Sequence, residues 1–390
     1  MAEGLQRSVI DLKTGHPDPA LFPERLLVEA TARLFSACSN DNRVEGALSY
    51  GRVSGRTRLL ELLASLHNSE VEPIARSDVQ PVQASEFFAL PGASFALSAC
   101  VSNLPAGVVL MESPSYYHAE SIFKAEGHQP VAVETDELGM TAHGLETAVR
   151  EHGQSRIRGV YIIPSYHNPT GRTMPMERRR ELINICRKQN IMLLADEVYQ
   201  FLYWGDVPPP PMSALDSDPP HCVASIGSFS KLTGPGLRFG FCLTKSQELR
   251  SRLQGKGFFI SGGGLCPYVG SLMEMALEAD LLRPHLDKIR ACYGHKCERL
   301  LKVLRSDLRV GELVNTTGGF FVWIGLPPST DILELDAALE REGVRVRLYE
   351  EANGRKGARL CFALASAEDV EEGGRRCARI LNATQNSHNG

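Results

Sequence analysis

The chain has 390 residues, of which 43% are hydrophobic, and it is longer than the roughly 100–200 residues that one domain usually contains. Its 42 Lys and Arg residues stand against 46 Asp and Glu residues, and the formal net charge of -4 argues against a broad basic surface for nucleic acid or an anionic membrane. We therefore expect two domains and a small-molecule substrate.

Short apolar runs alternate with helical patterns between about residues 56 and 265. Four of these runs are typical of buried strands: 107–112, 158–164, 191–196 and 223–227. Residues 175–190 carry apolar side chains at helical spacing among arginines, which predicts a crossover helix. Such alternation predicts an α/β fold with a mainly parallel sheet.

The pattern changes after about residue 266. A long helical pattern runs through Pro284 to Leu304, a strand is predicted at 319–324, and a last helix is predicted near 367–382. This order predicts a smaller α+β domain. We divide the chain into residues 1–55 (an N-terminal arm and part of the small domain), 56–265 (the large domain) and 266–390 (the C-terminal small domain).

The ten cysteines are scattered and form no CxxC pair, which is typical of reduced, buried thiols rather than of a disulfide framework or a zinc site. Residues 1–13 lack the apolar stretch of a signal peptide, and no run of about 18 apolar residues occurs. We expect a cytosolic protein without a membrane or nucleic-acid partner.

A lysine follows the last strand of the large domain, in the run Ser228–Gly240. The Lys231 amine is suited to form an imine with an aldehyde cofactor, provided that its surroundings lower its pKa. Ser228, Ser230 and Arg238 are suited to bind a phosphate on that cofactor. Taken alone, the run also fits a solvated lysine after a strand.

A carboxylate ends the preceding strand. Asp196 follows an apolar run, and ligands of open α/β sheets bind beyond the carboxyl ends of strands. Asp196 is placed to pair with a protonated pyridine nitrogen, and the Tyr199 hydroxyl to donate to a ring oxygen. The alternative for Asp196 is a helix N-cap.

The run Tyr166–Gly171 reads YHNPTG, a strand end followed by turn residues, and the Asn168 side chain is free to bond a ring oxygen. A plain Asn-Pro turn is the alternative. The three runs, with 28 residues from Asn168 to Asp196 and 35 from Asp196 to Lys231, resemble the signature of fold-type I pyridoxal 5′-phosphate enzymes of the class I/II aminotransferase family. The resemblance extends over most of the chain and is closest to the branch of aminoadipate and kynurenine aminotransferases and MocR-type regulators. It implies that the large domain has a mainly parallel mixed sheet with helices on both faces.

The resemblance implies further positions around the cofactor. Ala93 and Ser94 correspond to the family's phosphate cup at a helix N-terminus, although the family usually has a hydroxyl residue at position 93. Tyr116 corresponds to the aromatic residue that stacks on the cofactor ring, and Tyr117 is the alternative candidate for this position. Tyr50 corresponds to a tyrosine that reaches the phosphate of the neighbouring subunit, which implies a homodimer.

Substrate positions follow from the same resemblance. Gly15 lies in the segment that corresponds to the arm closing over the substrate, Asn168 also contacts the substrate, and Arg359 corresponds to the arginine that binds the α-carboxylate. Other side chains were chosen as candidates for the pocket wall: His16, Phe22, Tyr117, His167 and Phe321.

The function implied is transfer of an amino group between an amino acid and a 2-oxo acid, with Lys231 as nucleophile and as general acid and base. Other reactions at the same carbon, such as elimination, replacement, decarboxylative condensation or cyclisation, use the same scaffold and stay open. A ligand-sensing domain of the regulator type is the non-enzymatic alternative.

Overall fold

The structure is a computed structural model that describes residues 9–36, 43–71, 79–262, 267–351 and 353–386. Its strands, in chain order, are β1 Ile10–Asp11, β2 Phe87–Leu90, β3 Val108–Met111, β4 Gln129–Ala132, β5 Thr135–Asp136, β6 Gly139–Met140, β7 Ile157–Ile162, β8 Leu193–Asp196, β9 Val223–Ser228, β10 Gly240–Leu243, β11 Glu312–Val314, β12 Phe321–Leu326, β13 Val344–Arg345, β14 Arg347–Glu350 and β15 Lys356–Cys361.

The helices surround two main sheets. They are α1 Glu24–Ser36, α2 Arg43–Leu48, α3 Thr57–Val71, α4 Ala93–Val101, α5 Tyr117–Ala125, α6 Ala142–His152, α7 Met176–Lys188, α8 Met212–Leu215, α9 Gln247–Gln254, α10 Gly257–Gly262, α11 Pro267–Glu278, α12 Leu282–Asp307, α13 Ile332–Arg341 and α14 Ala367–Asn386. Within the described ranges, no helix is long and apolar enough to cross a membrane.

The larger sheet is mixed, as predicted. Among the described residues seven strands pair in the order β2-β10-β9-β8-β7-β3-β4, and only β10 runs antiparallel to its neighbours. Both faces are covered, because successive strand residues enter different cores: Leu110 and Leu193 pack with residues of α6 and α7, whereas Val109 and Leu194 pack with residues of α4 and α5. Burial on both faces explains why the strands are continuous apolar runs.

The smaller sheet pairs β11-β12-β15-β14, all antiparallel. The arm joins this part of the molecule, because β1 pairs in parallel with β13, from Ile10 opposite Val344 to Asp11 opposite Arg345. The division of the chain at residues 55 and 265 stays a prediction, and the second border lies outside the described residues.

One predicted element is wrong. The single long helical pattern ending at Leu304 is two helices, α11 and α12, separated at Asp280, whose φ is 51°. A non-glycine residue in the left-handed region interrupts a right-handed helix. Pro284 then lies in the first turn of α12, where its missing N–H removes no helical hydrogen bond.

Candidate active site

The predicted site residues converge on one cavity of about 240 Å³ at the edge of the larger sheet. Every residue predicted for the cofactor or substrate lines it, with the exception of Tyr50: Gly15, Ala93, Ser94, Tyr116, Asn168, Asp196, Tyr199, Ser228, Ser230, Lys231, Arg238 and Arg359. Tyr50 is 85% exposed and lies away from this cavity.

The sheet explains why residues far apart in sequence meet here. Strands β7, β8 and β9 are parallel neighbours, so their carboxyl ends lie at the same edge. Asp196 ends β8, Ser228 ends β9, and Asn168 lies in the loop after β7. Arg359 comes from β15 of the smaller sheet, which closes the cavity from the other side.

Lys231 lies at the meeting point of the arm and the larger sheet. Its Nζ donates a hydrogen bond to the Gly15 carbonyl oxygen at 3.0 Å and lies 5.6 Å from the centroid of the Phe320 ring. Burial lowers the pKa of the Lys231 ammonium, and Cys361 and Asp196 act in the opposite direction. Lys231 is thus not the solvated surface residue that its sequence position alone also allowed.

Asp196 is buried, with 4% of its surface exposed. Tyr161 donates its hydroxyl to Oδ2 at 2.8 Å, and Oδ1 has no hydrogen-bond partner among the described residues. Burial raises the pKa of Asp196 to about 6, while the hydrogen bond from Tyr161 acts to lower it. A buried, unpartnered carboxylate oxygen is the feature expected where a protonated ring nitrogen binds.

An anion-binding arrangement lies at the start of α4. Gly92 caps this helix with a φ of 86° and without a side-chain hydrogen bond, so the first N–H groups are free to bind an anion. Arg238 also has left-handed backbone, with φ 48°, and its guanidinium donates to the carbonyl oxygens of Pro91 (3.2 Å) and Pro235 (3.3 Å). Ser228 and Ser230 border the same space.

Arg359 lines the cavity beside Asn168 and the N-terminal arm. It donates to Asn168 Oδ1 at 2.8 Å and to the Lys13 carbonyl oxygen at 2.6 Å, while its guanidinium carbon lies 4.2 Å from the centroid of the Phe321 ring. Its Nε has no partner within the described part of the chain, although Arg359 is only 4% exposed. A planar, buried guanidinium held in this way is suited to a carboxylate.

The tyrosines differ in their surroundings. Burial raises the pKa of Tyr116 to about 12, and Asp196, Arg238 and Arg359 also act on it. Tyr199 is buried beside the Phe320 and Phe321 rings, and burial raises its pKa well above the usual value. Both hydroxyls therefore stay protonated and able to donate hydrogen bonds.

Some pocket-wall candidates lie elsewhere. His16, Tyr117 and Phe321 line this cavity, but Phe22 and His167 do not. His167 points away because its Nδ1 lies 3.0 Å from Thr170 Oγ1 and its Nε2 lies 3.3 Å from Glu112 Oε2.

Sequence reasoning missed Tyr161. It lies on β7, and its register partner on β8 is Leu194, two residues before Asp196. Because strand side chains alternate between faces, Tyr161 and Asp196 share a face. The only signal in the sequence is a tyrosine within an otherwise apolar run.

Similarity to known proteins agrees with this geometry. A sequence model described as "Aminotransferase class I and II" matches residues 7–376. The chain belongs to this family. The structure of the α-aminoadipate aminotransferase LysN from Thermus thermophilus, complexed with N-(5'-phosphopyridoxyl)-L-leucine, is 26% identical, with a TM-score of 0.78 over 98% of this chain and 94% of that chain.

Three relatives illustrate the range of similar proteins. The chain is 28% identical to a 2-aminoadipate transaminase from Thermus thermophilus (96% of this chain, 90% of that protein). It is 27% identical to aromatic-amino-acid aminotransferase 1 from Thermococcus litoralis (96% and 88%). It is also 27% identical to YisV, an uncharacterised HTH-type transcriptional regulator from Bacillus subtilis (94% and 72%).

The predicted fold class and cofactor are thereby confirmed. This aminotransferase uses pyridoxal 5′-phosphate and transfers an amino group between an amino acid and a 2-oxo acid. The unpartnered Asp196 oxygen, the free helix N-terminus and the half-buried lysine all fit that cofactor.

Proposed function

We propose that residues in different parts of this cavity have different roles in amino-group transfer: binding the cofactor phosphate, binding its ring, binding the substrate and moving the proton. One observation carries the proposal: a single cavity is lined by a half-buried lysine, an unpartnered aspartate oxygen and two arginines, Arg238 and Arg359, that have no carboxylate partner in the described chain. Arginines without a carboxylate partner suit anionic ligands, and a cofactor phosphate and a substrate carboxylate supply one anion for each.

The phosphate end is the start of α4. The free backbone N–H groups at Ala93 and Ser94, together with Ser228, Ser230 and Arg238, would hold the phosphate. The left-handed backbone of Arg238 aims its guanidinium at Gly92, where a Cβ atom would lie only 3.1 Å from Nη2.

The ring end is built around Asp196. Its free Oδ1 would accept a hydrogen bond from the ring nitrogen and keep that nitrogen protonated, while Asn168 and Tyr199 would donate to the ring oxygen. The Tyr116 side chain is half-buried and its pKa is affected by Asp196 and Arg238, whereas Tyr117 is 39% exposed, which favours Tyr116 as the stacking residue. The bound cofactor supplies an electron sink for the bond broken at the substrate Cα.

Lys231 would hold the cofactor aldehyde covalently until the substrate amine displaces it, and the freed Lys231 amine would then act on the substrate. Burial favours its neutral amine, which is able to accept the proton of the substrate Cα and to return a proton at the adjacent carbon. Arg359 and Asn168 would fix the α-carboxylate, and Gly15 would close the site above it.

We further infer that the active unit is a homodimer to which Tyr50 contributes from the neighbouring subunit. Tyr50 and Leu48 are exposed by 85% and 69%, and such apolar exposure is typical of a surface covered by a partner. A cytosolic location is supported by the free state of the described cysteines: Cys100, Cys186, Cys222, Cys242, Cys292, Cys297, Cys361 and Cys377.

Lys231→Ala tests the assignment of the nucleophile. The purified variant should lose the absorbance band that a lysine-bound cofactor gives at the violet end of the visible spectrum. Its turnover should fall by at least about a hundredfold. Lys302→Ala, at an exposed position on α12, is the matched control and should behave like the unmodified protein.

Amino-group transfer itself is measured by incubating the enzyme with single amino acids and following conversion of the cofactor to its pyridoxamine form. Regeneration by 2-oxo acids completes the cycle. If no amino acid in a broad panel produces the pyridoxamine form, transfer is not the activity.

A further inference from the structure

A third arginine beside the cavity has no carboxylate partner. Arg347 makes no ion pair within 4.0 Å in the part of the chain that the structure describes, like Arg238 and Arg359. The two anions of the proposed function, phosphate and α-carboxylate, account for Arg238 and Arg359. Neither anion accounts for Arg347.

Arg347 and Arg359 are cross-strand neighbours. They lie directly opposite each other on β14 and β15, so their side chains leave the same face of the smaller sheet. Like charges in this position repel each other, and the repulsion is relieved when anions bind between or beside them. The pair therefore favours a ligand with more than one negative group.

Each guanidinium is held against an aromatic ring of the cavity wall. The Arg347 guanidinium carbon lies 4.4 Å from the centroid of the Tyr117 ring, much as that of Arg359 lies 4.2 Å from the Phe321 ring. Stacking on a ring orients the planar guanidinium. The Arg347 guanidinium also forms a hydrogen bond with the Tyr349 side chain, and its five N–H donors leave others for an acid group. Tyr117 is 39% exposed and Arg347 is partly exposed, which places this pair at the solvent side of the wall.

We propose that Arg347 binds the side-chain acid group of the substrate, so that the enzyme prefers 2-amino dicarboxylic acids and the corresponding 2-oxo dicarboxylic acids. This inference rests on the proposed function, because it takes Arg359 as the site of the α-carboxylate. The substrate would lie with its α-carboxylate at Arg359 and its distal carboxylate at Arg347, next to Tyr117.

The test compares Arg347→Gln with the unmodified enzyme in two measurements. In the first, glutarate and pentanoate are titrated into the cofactor-loaded protein by calorimetry; neither carries an amino group, so no turnover is needed. Glutarate binding should weaken by about 30-fold in the variant, as expected for loss of a charged hydrogen-bonded pair, and pentanoate binding should change less than about 3-fold.

The second measurement is kcat/KM for 2-aminoadipate and glutamate against leucine and phenylalanine. The variant should lose about 30-fold with the acidic substrates only. Arg347→Lys should recover part of the loss, because it restores the charge without the planar fork. Arg341→Gln, which removes an exposed charge at the end of α13, should change neither measurement.

Two results would overturn the inference: equal binding of glutarate to Arg347→Gln and to the unmodified protein, or equal losses with acidic and neutral ligands. Failure of the proposed function looks different. In that case no amino acid is converted by the unmodified enzyme, while the comparison of glutarate with pentanoate still reports on Arg347.

Discussion

Tyr161 positions Asp196, the carboxylate that we propose binds the cofactor ring. Its hydroxyl binds one oxygen of Asp196 and leaves the other free, and its own pKa is raised far above the usual range by burial and by Asp196. The hydroxyl therefore acts as a permanent donor. It lowers the pKa of Asp196 and so favours the charged form that binds a protonated ring nitrogen.

Replacing Tyr161 by Phe should weaken cofactor binding by about tenfold at neutral pH, since it removes a hydrogen bond to a charged group. The sign of the pH dependence follows from Asp196. In the unmodified protein, affinity should fall as the pH drops through about 6 and the carboxyl becomes protonated. In Tyr161→Phe the affinity should begin to fall at a higher pH. The hydrogen bond that lowers the pKa of Asp196 is lost in this variant, so burial raises that pKa further.

The measurement is a titration of the cofactor-free protein with pyridoxal 5′-phosphate between pH 5 and 8.5. Tyr203→Phe is the control, because it removes a hydrogen bond to another carboxylate, from Tyr203 to Glu70 at 2.9 Å, away from the cavity. Identical pH curves for Tyr161→Phe and the unmodified protein would show that Tyr161 does not influence Asp196.

At the scale of elements, the turn between β2 and α4 determines the shape of the proposed phosphate site. Gly92 has a φ of 86°, and a Cβ atom at this position would meet Arg238 Nη2 at 3.1 Å. The neighbouring strand is equally close, since a Cβ atom on Gly240 would lie 2.9 Å from the Gly92 Cα. Both glycines allow β2, β10 and α4 to meet around the anion site.

Gly92→Ala should lower both stability, by about 1–2 kcal/mol from the left-handed backbone, and cofactor affinity, because the methyl group displaces the Arg238 guanidinium. Gly127→Ala separates the two effects. Gly127 has a similar φ of 81° but open space around its Cβ position, so its substitution should reduce only the thermal midpoint. Equal cofactor affinities in the two variants would contradict the role given to Gly92.

The elements that the sequence predicted well are those with continuous apolar runs. The strands predicted at 158–164 and 223–227 are β7 and β9 to within two residues, and the helix predicted at 175–190 is α7. Burial on both faces of the sheet makes these runs distinct. By contrast, the insertion of antiparallel β10 between β2 and β9 depends on pairing that no local pattern encodes.

The site was predictable to a similar degree. Asn168, Asp196 and Lys231 lie in short local motifs that the sequence shows, and the structure brings all three to one cavity. The positions of Tyr161 and Arg347 depend on cross-strand register, which places Tyr161 beside Leu194 and Arg347 beside Arg359. Their partners are known only once the strands are paired.

At the scale of the whole molecule, the dimer prediction concerns how two chains share a site. Tyr50 lines no part of its own chain's cavity and is almost fully exposed. If it completes the phosphate site of the neighbouring subunit, each site contains Lys231 from one chain and Tyr50 from the other.

Mixing two inactive variants tests this arrangement. Lys231→Ala and Tyr50→Ala homodimers should each be impaired, but a refolded mixture should regain activity, because a heterodimer has one site with both residues intact. At random association half of the dimers are mixed and each has one intact site, so about a quarter of full activity should return. If Tyr50 acted within its own chain, no activity would return, and sedimentation would confirm that the mixed dimers had formed.

The arm before α1 has a practical consequence for anyone who produces this protein. Its strand β1 is paired with β13, the Lys13 carbonyl oxygen binds Arg359, and the Gly15 carbonyl oxygen binds Lys231. An affinity tag fused ahead of β1 thus extends the segment that contacts Lys231 and Arg359, and we expect it to change kinetics that would be ascribed to the enzyme. Purification handles should be placed at the other end of the chain, and kinetic values should be compared with those of untagged material.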